Sequence, residues 1–291
     1  MTTKPKKFGV MGWPVEHSLS PPMQQAAFDA CGVEAEYCLL PTRPEQVQTR
    51  IRELREQGFA GWNVTVPHKP AVGKCMDRLV AEADLLGSVN TVVVEPDRTL
   101  TGHSTDGYGL EAALREHFAF APAGGRLAFV GGGGAVAATA VHLARRGVAE
   151  IALINRTLAR IQLIAALIAR VAPDCRVHCL PADDRETIAG RLSDLPLLIQ
   201  ATSLGLRPND PLPLPVETIP RSMAVMDMIY GQTRFLAALR DQGCETADGQ
   251  AMLLHQGARS FFLWTGIEPP LEIMRQALRD ALRLRRPDPE R

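Results

Sequence analysis

The sequence has no excess of charge of either sign. Its 291 residues contain 32 Lys and Arg against 32 Asp and Glu, so the formal net charge is zero. Proteins that bind nucleic acid or an anionic membrane surface usually carry a basic patch or a strongly basic balance. We therefore expect neither nucleic acid nor a membrane as a partner.

Long apolar runs and a secretion signal are also missing. No stretch approaches the roughly 20 apolar residues that are needed to cross a bilayer. Residues 1–7 are polar and basic, and no apolar signal-peptide core follows them. These absences predict a cytoplasmic protein.

The six cysteines and seven histidines do not form the patterns of a disulfide scaffold or a metal site. There is no Cys-x-x-Cys pair and no His-Glu-x-x-His motif, and no His and Cys residues stand at zinc-ligand spacing. We expect reduced thiols and no bound metal.

Short apolar runs alternate instead with amphipathic helical patterns, which predicts an α/β fold with largely parallel sheets. The length of the chain favours two domains. Strands are predicted at 8–10, 35–40, 61–66, 91–95, 126–130, 150–155, 176–180, 197–202 and 224–229. Helices are predicted from Pro21, Pro44 and Pro70, and over 106–118, 135–146, 157–171, 250–264 and 271–285.

The order of these elements predicts an N-terminal α/β substrate domain with a mainly parallel sheet, and a Rossmann-like second domain separated from it by a cleft. We place the substrate domain at 1–106 and the nucleotide-binding domain at 107–249. The two helical patterns within 250–291 have no strand of their own. They are therefore expected to return to the first domain and complete it.

A glycine run marks the candidate nucleotide site. The strand at 126–130 runs directly into a glycine-rich turn and a helix, an order that lets backbone amides approach a pyrophosphate at the helix N-terminus. The alternative is a flexible turn between strand and helix. The predicted cofactor-binding residues of this turn are Gly131, Gly132, Gly133, Gly134 and Ala135.

The end of the next strand indicates which dinucleotide would bind. An NAD site places a carboxylate there for the ribose 2′-hydroxyl, whereas this chain has Asn155, Arg156 and Thr157, followed by Arg160. A guanidinium can bind a 2′-phosphate bidentately. We therefore predict NADP, although a solvated helix start capped by Thr157 is the alternative.

Four polar clusters at strand ends or helix starts supply the candidate chemistry of the first domain. They occupy residues 12–21, 63–69, 88–91 and 102–107. Such positions in a parallel sheet share one edge, where ligands bind. The clusters offer hydroxyl, amide, ammonium and carboxylate groups to a small polyhydroxylated anion. Taken singly, however, Lys69 is equally consistent with an ordinary surface lysine, and Asp106 with an ordinary helix cap.

Taken together, these segments closely resemble the shikimate dehydrogenase family, over residues 8–266. Further matching segments are 155–157, 201–205, 227–230 and 252–258. The resemblance implies Lys69 and Asp106 as catalytic residues. It implies substrate contacts from Ser18, Ser20, Thr65, Asn90, Tyr230 and Gln256, and further cofactor contacts from Thr202, Ser203, Met228, Gly249 and Met252.

The resemblance implies NADP-dependent interconversion of shikimate and 3-dehydroshikimate in the chorismate pathway, by a monomer or homodimer. The chain departs from the family pattern at Gln24-Gln25, Ser104, Val136 and Gly231-Gln232. Two alternatives therefore stay open. One is a quinate/shikimate dehydrogenase of a divergent subgroup, against which Ser20 in place of a threonine argues. The other is a non-catalytic NADP-binding regulator on the same fold.

Oxidation of an alcohol needs a base within ~2.6–3.2 Å of the hydroxyl oxygen. Lys69 and Asp106 are the candidates, and we treat them as a coupled pair. We expect Lys69 to carry the proton and Asp106 to orient it, although the sequence leaves this assignment open.

Overall fold

The computed structural model describes residues 4–284 and divides into two compact units. Unit 1 comprises Met1–Gly109 and Leu253–Arg291, and unit 2 comprises Leu110–Met252. Unit 1 is therefore discontinuous in sequence, whereas unit 2 is one continuous stretch.

The first part of the chain alternates strands with helices. In order, its elements are β1 (Lys6–Gly12), α1 (Ser20–Ala30), β2 (Ala35–Pro41), a 3₁₀ turn (Pro44–Gln46), α2 (Val47–Glu56), β3 (Gly61–Val64), α3 (Lys69–Gly73), β4 (Arg78–Leu79), α4 (Ala81–Leu86), β5 (Thr91–Val94), β6 (Leu100–His103) and α5 (Asp106–Phe118).

The rest of the chain continues the alternation and ends in two helices. Its elements are β7 (Arg126–Val130), α6 (Gly134–Arg145), β8 (Glu150–Asn155), α7 (Leu158–Val171), β9 (Arg176–Pro181), α8 (Arg185–Leu192), β10 (Leu197–Gln200), a 3₁₀ turn (Val216–Thr218), β11 (Ala224–Asp227), α9 (Arg234–Gln242), β12 (Thr246–Ala247), α10 (Gln250–Thr265) and α11 (Leu271–Arg283).

The sheet of unit 1 has six strands in the order β2-β1-β3-β5-β6-β4. Strand β1 pairs in parallel with β2 and β3, whereas β5 runs antiparallel to both β3 and β6. The carboxyl ends of β1, β3 and β6 therefore meet the start of β5 at one edge. This direction change brings the segments that follow β3 and β6 beside the segment that precedes β5.

Apolar side chains cover both faces of this sheet. Helices α1, α10 and α11 bury one face around Phe8, Phe28 and Phe261, and α2, α3 and α4 contribute to the core on the other face around Trp62. The rings of Phe8 and Phe28 stack at 4.8 Å, and the ring of Phe8 lies 5.0 Å from that of Trp264. Burial of such aromatic surface fixes the last two helices against the sheet of unit 1.

The sheet of unit 2 is parallel throughout, in the order β12-β11-β10-β7-β8-β9. Its central strands are apolar on both faces, as expected when helices cover both sides. Strand β7 lies at the point where the strand order reverses. Ligands bind at the carboxyl ends of the strands next to such a point.

The α/β class predicted from sequence is confirmed, and most predicted elements are present. Several strands end earlier than predicted: β3 at Val64, β10 at Gln200 and β11 at Asp227. The helix predicted from Pro70 is a single short segment, Lys69–Gly73. The predicted end of the last helix, at 285, lies outside the described residues.

Three strands, β4, β6 and β12, and three helices, α4, α8 and α9, are absent from the sequence prediction. Strand β4 has two residues, too few for a periodic pattern, and β6 contains Gly102, which disfavours strand prediction. A Cβ at Gly102 would lie 2.6 Å from the side chain of Val89. Close packing at this position therefore favours glycine, and the same glycine makes the strand difficult to predict from sequence.

Candidate active site

Lys69, Asn90 and Asp106 form a hydrogen-bonded group at the sheet edge described above. Lys69 Nζ lies 2.5 Å from Asp106 Oδ2, and Asn90 Nδ2 donates to Asp106 Oδ1 at 2.8 Å. The Asp106 side chain is one tenth exposed, and that of Lys69 about one fifth. Both carboxylate oxygens of Asp106 therefore have a donor, while the Lys69 side chain is partly accessible to solvent.

Gln256 of α10 and Thr105 join the same group. Asn90 Nδ2 lies 2.9 Å from Thr105 Oγ1 and 3.4 Å from Gln256 Oε1, and the Thr105 amide donates to Asn90 Oδ1 at 2.7 Å. The structure thus brings together four of the predicted site residues, Lys69, Asn90, Asp106 and Gln256.

A buried polar network lies next to this group and fixes Asn90. Asn63 Nδ2 lies 2.9 Å from Ser260 Oγ and 3.1 Å from Thr91 Oγ1, and the two hydroxyls are 2.8 Å apart. Ser260 also donates to the Gln256 carbonyl at 3.0 Å. Because buried polar networks of this kind are costly unless satisfied, these contacts hold α10 in one register on the sheet.

Tyr37 connects Ser20 to this network. Its hydroxyl donates to Asn63 Oδ1 at 2.7 Å, and the Ser20 side chain is a further hydrogen-bond partner. Burial raises the pKa of Tyr37 well above its usual value, with the Ser20 hydrogen bond as a smaller opposing effect. Tyr37 is therefore a neutral structural donor near neutral pH.

Ser18 and Thr65 lie in the two loops that leave β1 and β3. The Ser20 amide donates to Ser18 Oγ at 3.2 Å, so the two serines form one turn at the start of α1. The Thr65 amide donates to the Met11 carbonyl at 2.8 Å. A Cβ at Gly12 would collide with the Thr65 methyl group, so the glycine permits this approach of the two loops.

Sequence reasoning assigned no role to Thr105, Asn63 or Ser260. Thr105 and Asn63 lie inside the polar clusters at 102–107 and 63–69. Their contacts become apparent only when β3, β5 and β6 are paired in the sheet. Ser260 stands four residues after Gln256 on α10, so the two occupy the same face of that helix. This four-residue spacing is the sequence signal that links Ser260 to Gln256.

The glycine turn of unit 2 has the geometry that a phosphate requires. Gly131 has φ of 129°, and a Cβ there would lie 3.1 Å from the Ala201 carbonyl oxygen. Gly133 is the N-cap of α6, and a Cβ at Gly133 or Gly134 would meet nothing within 4 Å. The turn therefore leaves open space in front of the helix N-terminus, which attracts anions.

A cavity of about 940 Å³ opens at this turn. This volume is near the upper end of the ~300–1,000 Å³ range of ligand pockets. The predicted cofactor residues that line it are Gly131, Gly132, Gly133, Asn155, Arg156, Arg160, Thr202 and Ser203. Those that do not line it are Gly134, Ala135, Thr157, Met228, Gly249 and Met252.

The cavity fits a phosphorylated dinucleotide. Arg156 and Arg160 are exposed and line it, and neither side chain has an ion-pair or hydrogen-bond partner among residues 4–284. No carboxylate stands at the end of β8, where Asn155 is held by its own hydrogen bond to the Thr157 carbonyl at 2.9 Å. Thr157 is the N-cap of α7, but its side chain makes no capping hydrogen bond.

The loop after β11 carries Met228 and Tyr230. Gly231 donates its amide to Asp248 Oδ2 at 2.7 Å, and Gly249 donates to the Ile229 carbonyl at 3.1 Å. A Cβ at Gly249 would collide with the Met228 carbonyl, so this position requires glycine. The predicted substrate contact of Tyr230, which is 44 % exposed, stays a prediction.

Asp227 lies fully buried at the base of this loop. Its Oδ1 accepts from the Ile229 amide at 3.0 Å, and its Oδ2 accepts from the Thr233 hydroxyl at 2.8 Å. Burial raises the pKa of Asp227 to about 6, against the opposing effect of these donors. The carboxyl is therefore protonated more easily in the folded protein than in the unfolded chain.

This shift makes a prediction about stability. Between pH 4 and pH 6 the folded state binds more protons at Asp227 than the unfolded state, so ionisation removes stability as the pH rises. Asp227→Asn is expected to gain about 2–3 kcal/mol relative to the original protein across this window. Thermal unfolding of both proteins at pH 4.5 and pH 7.5 measures this difference. If the free energies of unfolding of the two proteins depend on pH in the same way, the prediction is contradicted. The control is Asp241→Asn, at an exposed position of α9.

Two further findings concern the described part of the chain. Within residues 4–284, no group of three or more His, Cys, Asp or Glu side chains could hold a metal ion. None of the helices in that range combines the length and apolar character of a membrane span.

Comparison with known families agrees with this geometry. The family model of the shikimate dehydrogenase substrate binding domain matches residues 10–92, which include Ser18, Thr65 and Lys69. The model of the shikimate 5′-dehydrogenase C-terminal domain matches residues 251–279, which include Gln256 and Ser260.

Comparison with individual proteins extends over nearly the whole chain. Shikimate dehydrogenase (NADP(+)) of Geobacter metallireducens is 38% identical over 97% of this chain and 99% of its own length. The crystal structure of the Thermus thermophilus shikimate 5-dehydrogenase with NADP(H) and shikimate is 34% identical, with a TM-score of 0.82 and coverage of 95% and 99%. Quinate dehydrogenase from Corynebacterium glutamicum, in complex with NAD, is 29% identical with a TM-score of 0.86, over 96% and 100% of the two chains.

These likenesses define an enzyme class, the dinucleotide-dependent oxidoreductases of small ring acids. The chain belongs to the shikimate dehydrogenase family, and the family predicted from the sequence is confirmed.

Proposed function

We propose that the protein interconverts shikimate and 3-dehydroshikimate with NADP. The observation that carries this proposal is the ion pair of Lys69 and Asp106, joined by Asn90 and Gln256 at one sheet edge. Such a group can bind ring hydroxyls and remove a proton from one of them. The predicted activity and cofactor agree with the name of the Geobacter relative.

We propose that Ser18 and Ser20 bind the substrate carboxylate, and that Thr65, Asn90 and Gln256 bind ring hydroxyls. The two serines form one turn at the start of α1, where a helix N-terminus also favours an anion. Asn90 and Gln256 offer amide donors and acceptors beside the ion pair. Ser20 is linked to Asn90 through Tyr37 and Asn63, so the network holds the two subsites in fixed register.

Lys69 is the proposed proton carrier. Its side chain is partly exposed, and its Nζ has a fixed position, because Asp106 Oδ2 holds it and Asn90 occupies the other carboxylate oxygen. Asp106 is therefore the orienting partner in this proposal. Bound NADP would supply the hydride acceptor. For Lys69 to act as the base, its ammonium first releases a proton to solvent, and the neutral amine then takes the hydroxyl proton.

The NADP site in this proposal is the cavity of unit 2. Gly131, Gly132 and Gly133 would face the pyrophosphate, and Arg156 and Arg160 would bind the 2′-phosphate. Thr202 and Ser203 line the same cavity. Their loop is fixed by the buried Gln200 side chain, which donates to the Leu204 carbonyl at 3.0 Å.

One experiment tests the proposal against its two alternatives. NADPH formation is followed with shikimate and with quinate, and we expect kcat/KM for shikimate to be higher by about tenfold or more, the size of a one-hydroxyl discrimination. A preference for quinate would support the divergent subgroup, which the likeness to the Corynebacterium enzyme makes the second candidate. Binding of NADP and shikimate without turnover would indicate a regulator.

The oligomeric state is a separate question. Light scattering would test whether the protein is a monomer or a homodimer, as predicted from the sequence.

A further inference from the structure

A third arginine, Arg185, lines the same cavity as Arg156 and Arg160. It is the first residue of α8, which follows β9, and β9 pairs in parallel with β8 so that Pro181 lies opposite Asn155. The Ala182 amide donates to the Asn155 carbonyl at 3.2 Å. The loop that carries Arg185 is therefore held beside the loop that carries Arg156.

The fold itself gives no reason for an arginine at this position. A cation in the first turn of a helix opposes the helix dipole. The Arg185 side chain has no ion pair or hydrogen bond with any other residue between 4 and 284, whereas Arg191 in the last turn of the same helix binds Glu150 Oε1 at 3.1 Å. Arg191 thus fastens α8 to the sheet, and Arg185 is left exposed at the cavity.

The charges around the cavity favour a multiply charged anion. Three guanidinium groups line it, from Arg156, Arg160 and Arg185, against one carboxylate, that of Asp183. The neighbouring Asp184 is engaged as the N-cap of α8, where its Oδ1 accepts from the Thr187 amide at 3.1 Å. The excess of positive charge therefore lies at the ends of β8 and β9.

We propose that Arg185 is a third guanidinium of the 2′-phosphate subsite and a specificity-determining residue for NADP over NAD. This inference rests on the proposed function. A phosphate monoester presents three terminal oxygens and carries close to two negative charges, so it can accept from more than two arginines. Arg156 and Arg160 reach it from the β8 side, and Arg185 reaches it from the β9 side.

Binding of two nucleotide fragments tests the proposal without catalysis. Isothermal titration is carried out with 2′,5′-ADP, which carries the additional phosphate, and with 5′-AMP, which lacks it. Arg185→Gln is expected to weaken 2′,5′-ADP binding by about tenfold or more, and 5′-AMP binding by less than about twofold. Arg185→Lys should recover part of the loss, and the salt dependence of 2′,5′-ADP binding should decrease in Arg185→Gln.

The matched control is Arg170→Gln, an exposed arginine in the last turn of α7 that does not line the cavity. It should leave both affinities unchanged. An equal loss of affinity for both ligands in Arg185→Gln would indicate that Arg185 contacts the nucleoside or the 5′-phosphate. No loss of affinity for either ligand would make Arg185 a surface residue without a part in binding. Either result overturns the inference. If the original protein does not prefer 2′,5′-ADP over 5′-AMP, the proposed NADP function fails instead.

Discussion

Replacement of Lys69 by alanine is expected to lower turnover by about 100-fold or more, with a smaller effect on the apparent affinity for shikimate. The ammonium is held 2.5 Å from Asp106 Oδ2, and alanine removes the only basic group of this cluster while the amides of Asn90 and Gln256 remain. Steady-state kinetics with NADP and shikimate measure the effect. Added methylamine should restore part of the lost turnover, because a free amine can enter the space left by the side chain.

Two further variants separate the roles of Lys69 and Asp106. Lys74→Ala, at an exposed position five residues along the chain, should retain full turnover. Asp106→Asn keeps the shape of the side chain but removes the charge that fixes Lys69, so its turnover should fall less than that of Lys69→Ala. A larger loss in Asp106→Asn, together with no rescue of Lys69→Ala by methylamine, would assign the proton to Asp106.

Arg156→Asp is expected to raise the KM for NADP by roughly 30-fold or more, since it removes a charge-assisted contact and adds repulsion of the 2′-phosphate. The KM for NAD should stay similar or fall, because a carboxylate at this position can accept from the ribose 2′-hydroxyl. The ratio of kcat/KM values for the two cofactors is the quantity to measure.

The corresponding control is Arg221→Asp, at an exposed position before β11 that does not line the cavity. It introduces the same change of charge into unit 2. If Arg221→Asp shifts cofactor preference as far as Arg156→Asp does, the effect belongs to the general field of the protein and no specific subsite is indicated.

The sequence was sufficient to predict four of the residues that meet at the site, but for a partly incorrect reason. We expected Lys69, Asn90 and Asp106 to share the carboxyl edge of a mainly parallel sheet. Asn90 instead precedes β5, and it reaches that edge because β5 runs antiparallel to β3. The tight turn after β5, where the Glu95 amide donates to the Thr99 carbonyl at 2.9 Å and Arg98 has φ of 67°, reverses the chain again and returns β6 to the direction of β3.

Other features depend on contacts between residues far apart in sequence, which a local pattern does not contain. The link between Asn63 and Ser260 spans 197 positions, and neither residue belongs to a periodic pattern that would point to the other. Arg185 follows the end of β9, where the sequence has no glycine turn or other dinucleotide motif that would mark a cofactor contact. The parallel sheet of unit 2, with its regular strand and helix lengths, was closest to the prediction.

The discontinuity of unit 1 has a consequence for synthesis on the ribosome. Residues 4–109 emerge first, yet the aromatic face formed by Phe8 and Phe28 is covered by Phe261 and Trp264, which are synthesised last. Asn63 likewise gains its hydrogen bond to Ser260 only after α10 has emerged. Unit 2, which is continuous, can complete its sheet while those last helices are still inside the exit tunnel. A nascent chain that stalls before its last helices emerge therefore exposes an uncovered aromatic surface on unit 1 although the sheet of unit 2 is already complete, and we expect chaperones to bind that surface until translation resumes.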